Sequence, residues 1–151
     1  MKLLTFAIAI FFISGCQTTQ WDGTGEFPRG YTLAASNYAV SGNSDVLVVY
    51  IGASNCPDCF IFKGKYYPHW IKSDEYRQVT YREMEFMTYE DTSSDNEWPN
   101  DLKWLKNATY TREGAPRWIV LIDGLIVSNE MSWNGKSFPL IKNLVQRKLA
   151  S

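Results

Sequence analysis

Three features of this 151-residue sequence predict an α/β domain. One is an unbroken apolar run, Val46, Leu47, Val48, Val49, Tyr50 and Ile51, whose β-branched and aromatic residues read as a buried strand. Another is Asp123-Gly124 between two further apolar runs, the strong two-residue hairpin signal. The third is a closing segment in which Leu140, Ile141, Leu144, Val145 and Leu149 fall on one face of a helix. With 45% hydrophobic and 15% aromatic residues, one domain has enough apolar mass for a real core. A formal net charge of −1 gives no basis for general binding to nucleic acid or an anionic membrane.

In chain order, residues 17–30 are polar and glycine-bearing, which reads as a flexible tether. Residues 31–40 fit a short helix or an edge strand equally well. Ser41-Gly42-Asn43-Ser44 is a turn signal ahead of the buried strand. Beyond Cys59 a helix carries Phe60, Phe62, Tyr66, Tyr67 and Trp70 as core packing, with Pro68 expected to kink or end it. Ser73, Asp74, Glu75 and Tyr76 start another helical turn or finish that one. Residues 79–86 alternate and are β-rich, a second strand. From Glu83 to Asp101 the charge is one-sided, with no Lys or Arg before Lys103. Within that stretch residues 92–96 read as a loop. A helix over about 97–108 follows, capped by Asp95 or Asn96, with Pro99 in its first turn and Trp98, Leu102 and Leu105 on one face. Residues 117–122 and 125–128 form the hairpin, and 137–149 the last helix.

The chemistry concentrates at Cys56-Pro57-Asp58-Cys59, one short turn beyond the buried strand and at a helix start. The first turn of a helix has unpaired N–H groups and a partial positive charge, and both stabilise a thiolate. Cys56 is expected at the exposed edge as the attacking thiol, with Cys59 shielded one turn further in and closing the disulfide. Pro57 suits the first helical position, where a missing N–H costs nothing. Asp58 complements the helix dipole, yet a carboxylate beside a thiol disfavours the thiolate. That points to a reductant or exchange catalyst rather than a strong oxidant.

The N-terminus resembles a bacterial lipoprotein signal peptide. Lys2 supplies a basic region, residues 3–13 an apolar core too short to span a bilayer, and Ile13-Ser14-Gly15-Cys16 is similar to the lipobox. The resemblance implies a signal peptide over 1–15, lipidation at Cys16, a tether over 16–30 and a folded domain over 31–151. The domain would then be lipid-anchored on the periplasmic side of a bacterial membrane, and Gln17 favours the outer one. Cys56 and Cys59 would be the only free thiols left.

The order of strand, Cys-x-x-Cys helix, strand, helix, proline, hairpin and final helix resembles the thioredoxin superfamily over about residues 45–150. Asp74-Glu75-Tyr76 before a Val-Thr-rich strand looks like thioredoxin itself, and Pro116 stands where the family keeps a cis-proline facing the cysteines. The resemblance implies a three-layer thioredoxin-like fold, a central mixed β-sheet flanked by helices. It implies Cys56 as nucleophile, Cys59 as resolving thiol, Pro116 in cis, and the Ala115 backbone pairing with an extended substrate segment that Pro57 and Asp58 also meet. Asn55 stands where thioredoxins carry Trp, and Tyr50 where they carry a buried Asp. Glu83 falls near a family lysine and is expected to replace the missing carboxylate as proton acceptor for Cys59.

The expected function is thiol–disulfide oxidoreduction on the thiols and disulfides of exported proteins, with a further redox partner and no cofactor beyond the cysteine pair. No nucleic acid is implied, and with no dimerisation domain visible a monomer is the default. A copper- or zinc-binding lipoprotein is the alternative, since thiolates suit both metals. Only two thiols are available for it, and the sole histidine, His69, lies about 15 Å further along a continuous helix. A non-catalytic binding module on the same scaffold is the other alternative.

Overall fold

A computed structural model describes residues 40–109, 114–131 and 133–151. The expected signal peptide, Cys16, the tether and residues 31–39 lie outside them. The buried run forms β1 (Val46–Ala53), which leads into α1 (Pro57–Ile61), a π-helical turn (Phe62–Tyr66), α2 (Tyr67–Trp70) and α3 (Asp74–Arg77). β2 (Thr80–Phe86) follows, then α4 (Lys103–Thr109), the hairpin of β3 (Arg117–Ile122) and β4 (Leu125–Glu130), and α5 (Phe138–Ala150).

The strands make one mixed sheet in the order β2-β1-β3-β4. β1 runs parallel to β2 and antiparallel to β3, and β3 pairs antiparallel with β4. With neighbours on both sides, β1 is buried along nearly its whole length, the physical reason for its continuous apolar run. Its alternate side chains serve two cores. Val48, Tyr50, Trp118 and Val120 meet Phe62, Trp70, Trp133 and the Ile141–Leu144 face of α5. Val49, Ile51, Ile119 and Leu121 meet Trp98, Leu102 and Leu105 on the other face. Helices therefore cover both faces of the sheet, a three-layer α/β fold. At the hairpin, Asp123 and Gly124 both have positive φ (50° and 80°), as the primed turn needs. The Asp123 N–H donates to Asp45 O and its side chain accepts from the Asp45 N–H, both at 2.8 Å, pinning the turn to the start of β1.

Several elements differ from the sequence expectation. Pro68 neither ends the helix nor acts alone. It lacks the N–H that would pair with Gly64, and the preceding turn widens so that the Tyr67 N–H reaches Phe62 O; the helix then continues to Trp70. Phe60 is 66% exposed rather than core, because it lies on neither the Cys59 nor the Phe62 side of the helix. Of the residues 92–96 expected as loop, Thr92 and Ser93 close a 3₁₀ turn (Glu90–Ser93), while 94–96 are irregular or turn. The helix expected from 97 starts only at Lys103, after a second 3₁₀ turn (Asn100–Leu102): Pro99 is extended, and the Trp98 indole donates to Thr92 O, holding residues 92–98 in a compact turn. Ser73 caps α3 by accepting from the Tyr76 N–H, so that turn is a new helix.

The one-sided acidic charge is partly balanced in space. Lys63 pairs with Glu83 and Glu85, Arg82 with Asp101 at 2.9 Å, and Lys106 with Asp95. Hydrogen bonds from Lys106 and Arg82 hold the Asp95 and Asp101 carboxyls below the usual range. The phenols facing this charge move the other way. Burial, and then Glu85 and Glu83, push Tyr50 well above its ordinary pKa of 10.0, and burial followed by Glu83 does the same for Tyr81. A folded-state pKa raised this way leaves stability whole below about pH 10 and erodes it as pH rises beyond, because the unfolded chain releases those protons first. Urea midpoints should therefore be flat to about pH 9.5 and then fall. Each tyrosine steepens that fall by at most about 1.4 kcal/mol per pH unit. A Tyr81→Phe variant with the same alkaline slope as wild type would contradict this.

Candidate active site

The site forms where the C-terminal end of β1 meets the start of β3. Ser54 is tied to the end of β2 by its N–H to Phe86 O at 2.9 Å, and the chain then turns through Asn55 into Cys56. Cys56 is the N-cap of α1: its backbone is extended (φ −96°, ψ 112°) and its Sγ accepts the Cys59 N–H at 3.3 Å. Pro57 follows in the first turn with Asp58, the first-turn carboxylate that complements the helix dipole. Cys56 and Cys59 are joined in a disulfide, their Cα atoms 5.2 Å apart. Such a pair can cycle between disulfide and dithiol.

Ala115 and Pro116 come from 59 residues away to close the other side. The Ala115–Pro116 bond is cis, and the Ala115 carbonyl oxygen lies 3.3 Å from Cys56 Sγ. This overturns one expectation. Cys56 is not an exposed edge but 4% exposed, hardly more than Cys59 at 3%, because the Ala115 backbone packs over it. Position rather than exposure distinguishes the two sulfurs, since both residues border the second core: Cys56 is the N-cap and faces the Ala115 carbonyl, and Cys59 lies inside the first turn of the helix. Pro57 and Asp58 are exposed beside them.

Glu83 occupies a different setting. It pairs in register with Tyr50, and its carboxylate is bound by Lys63 and by the Tyr81 hydroxyl at 3.4 Å. The Tyr50 phenol runs along β1 over Gly52, where a Cβ would fall 2.5 Å from the hydroxyl and 2.8 Å from Glu85 Oε2. Gly52 thus leaves room for both groups beneath the cysteine turn. His69 is exposed and lines an aromatic cleft of about 130 Å³ with Tyr66, Trp70, Trp133 and Phe138, a set without either cysteine. Among the described residues no group of three or more His, Cys, Asp or Glu is placed to hold a metal ion. No helix among them is long and apolar enough to cross a membrane.

Sequence reading missed Arg117, 5% exposed at the start of β3. The available signal was a guanidinium directly after the proline and before the apolar Trp118 to Ile122 run, where a cation can persist only if its donors are engaged.

No protein-family model matches the chain, and no curated protein matches it. Among solved structures, it is similar to the periplasmic thioredoxin SoxS from Paracoccus pantotrophus in its reduced form. That likeness is 13% identity, covering 68% of this chain and 98% of the other, with a TM-score of 0.46. The chain's own strand order, its helices on both sheet faces, and its cysteine pair at the start of the helix after β1 make the fold thioredoxin-like.

Proposed function

We propose that the protein is a thiol–disulfide oxidoreductase in which Cys56 is the nucleophile and Cys59 the resolving thiol. The observation that carries this reading is the placement of the Cys56–Cys59 disulfide at a helix start with the Ala115 carbonyl 3.3 Å from Cys56 Sγ. In the reductive direction the Cys56 thiolate attacks one sulfur of a partner disulfide; that S–S bond breaks and the leaving sulfur takes a proton. Cys59, losing its own proton, then attacks Cys56 Sγ and releases the second partner thiol. Two electrons and two protons pass from the cysteine pair to the partner. Pro116 shapes the wall opposite the sulfurs, and Ala115, Pro57 and Asp58 meet the substrate. Glu83, held by Lys63, is the proposed acceptor of the Cys59 proton.

The partners proposed are exported proteins, with a separate donor of electrons. The chain is anchored through a lipid on Cys16 on the periplasmic side of a bacterial membrane, and Gln17 favours the outer one. Asp58 makes reduction or exchange the favoured direction.

An equilibrium redox titration of the chain carrying Cys16→Ser tests this. A reversible two-electron couple with a midpoint near about −270 mV is expected, whereas one near about −120 mV would mark an oxidant and reverse the reading of Asp58. With no reversible couple the oxidoreductase reading fails, and copper and zinc titrations come next. Exchange rates from pH 6 to 9 in Glu83→Gln decide the carboxylate's part, since an unchanged profile removes Glu83 from the mechanism.

A further inference from the structure

Burying a guanidinium is costly unless its donors are satisfied, and replacement by an apolar residue is often tolerated. β3 is otherwise apolar, so a cation at its first position calls for an explanation. Arg117 sits directly behind the loop that faces Cys56. Its Nε donates to the Gly114 carbonyl at 3.4 Å, and one terminal nitrogen donates to Asn129 Oδ1 at 2.9 Å. Asn129 in turn donates to the Thr109 carbonyl at 2.9 Å, at the end of α4. The other terminal nitrogen is 3.9 Å from Met131 Sδ. That nitrogen would also be only 3.0 Å from a Cβ on Gly114, so the guanidinium packs closely against the glycine. A hydrogen-bonded line thus runs from α4 through β4 and β3 to the peptide one residue from the cysteine's neighbour.

The Gly114 carbonyl and the Ala115 N–H belong to the same peptide unit. A guanidinium donating to that carbonyl fixes the plane of the peptide and polarises its N–H, while the next carbonyl, of Ala115, faces Cys56 Sγ. We propose that Arg117 is a positioning residue for extended substrates: it presents the Ala115 backbone so that a peptide around the target disulfide can pair with it. This rests on the oxidoreductase reading above. The selectivity that follows is for disulfides within an extended polypeptide over small disulfides, which meet the sulfur alone.

The test compares two substrates in the full-length protein, with dithiothreitol as electron donor: a peptide carrying a disulfide in an extended segment, and hydroxyethyl disulfide. Arg117→Gln is expected to raise KM for the peptide about tenfold, the worth of one hydrogen bond to a charged group. Its kcat/KM for hydroxyethyl disulfide should stay within about twofold of wild type, since no backbone pairing is at stake. Arg117→Lys should recover part of the peptide KM. Asn129→Leu keeps the cation but removes the acceptor that aims it, and should shift the peptide KM in the same direction. Equal losses on both substrates would mean Arg117 serves the fold or the sulfurs, and an unchanged peptide KM in either Arg117→Gln or Asn129→Leu overturns the assignment. A wild-type protein that turns over neither substrate sinks the oxidoreductase reading itself, and the assignment with it.

Discussion

Replacing Cys56 by serine is expected to reduce disulfide turnover by roughly a thousandfold or more, the scale on which loss of a covalent nucleophile acts. Cys59→Ser should fail in a different way. Cys56 can still attack, but no second thiol releases the product, so the partner remains attached. Intact-mass measurement after incubating Cys59→Ser with a peptide disulfide should show one peptide added through Cys56, and dithiothreitol should remove it. Cys56→Ser treated identically should carry none. The asymmetry follows from geometry: Cys56 is the N-cap and faces the Ala115 carbonyl, while Cys59 lies inside the first turn. If both variants trap peptide equally, the roles of the two sulfurs are not distinct. If Cys59→Ser keeps full turnover, the two-thiol mechanism is wrong.

The largest expected effect on stability is at Phe62. Its ring lies 4.8 Å from Tyr50, 4.9 Å from Trp118 and 5.2 Å from Trp133, so it is the hub where the cysteine helix meets the sheet. Phe62→Ala removes a fully buried ring from a rigid aromatic surround with little freedom to collapse, and should cost about 3–5 kcal/mol. Against a total of about 5–15 kcal/mol that is a large share. Phe62→Leu preserves most of the volume and should cost less than about 1.5 kcal/mol. Urea denaturation of the two variants separates these cases. Equal, small losses would mean the cavity refills and Phe62 is not the hub. Because Phe62 opens the π turn one helical turn after Cys59, the alanine variant should also loosen the helix that holds the cysteine pair.

Much of this architecture is legible in the sequence, and the exceptions share a cause. β1 reads correctly because a central strand must be apolar on both faces, and Asp123-Gly124 because few other pairs accept two positive φ angles. Trp98, Leu102 and Leu105 share one core even though the helix starts later than their spacing implies. What fails is whatever depends on a specific partner, near or far in the chain, that periodicity does not reveal. The delayed start of α4 comes from Trp98 reaching Thr92, and the π turn from the missing N–H of Pro68, beside which the Tyr67 N–H reaches Phe62 O. At the site, Cys56 and Cys59 are legible from spacing, but the covering of Cys56 is contributed from Ala115 and cannot be read from the motif. Arg117 escapes notice because strand reading weighs the apolar run and passes over its first residue. The acidic stretch reads as unbalanced because its cations, Lys63, Arg82 and Lys106, lie outside it in sequence and beside it in space.

The near-complete cover over both sulfurs has a kinetic consequence. A collision with a small thiol seldom finds a cysteine with so little open surface, so exchange with low-molecular-weight thiols is slowed without being abolished. In the proposed oxidoreductase, electrons would then move fastest to a partner shaped to open the cover. Choice among partners would then be made at the encounter, before any bond changes, and the intrinsic reactivity of the sulfur need not be restrained to achieve it.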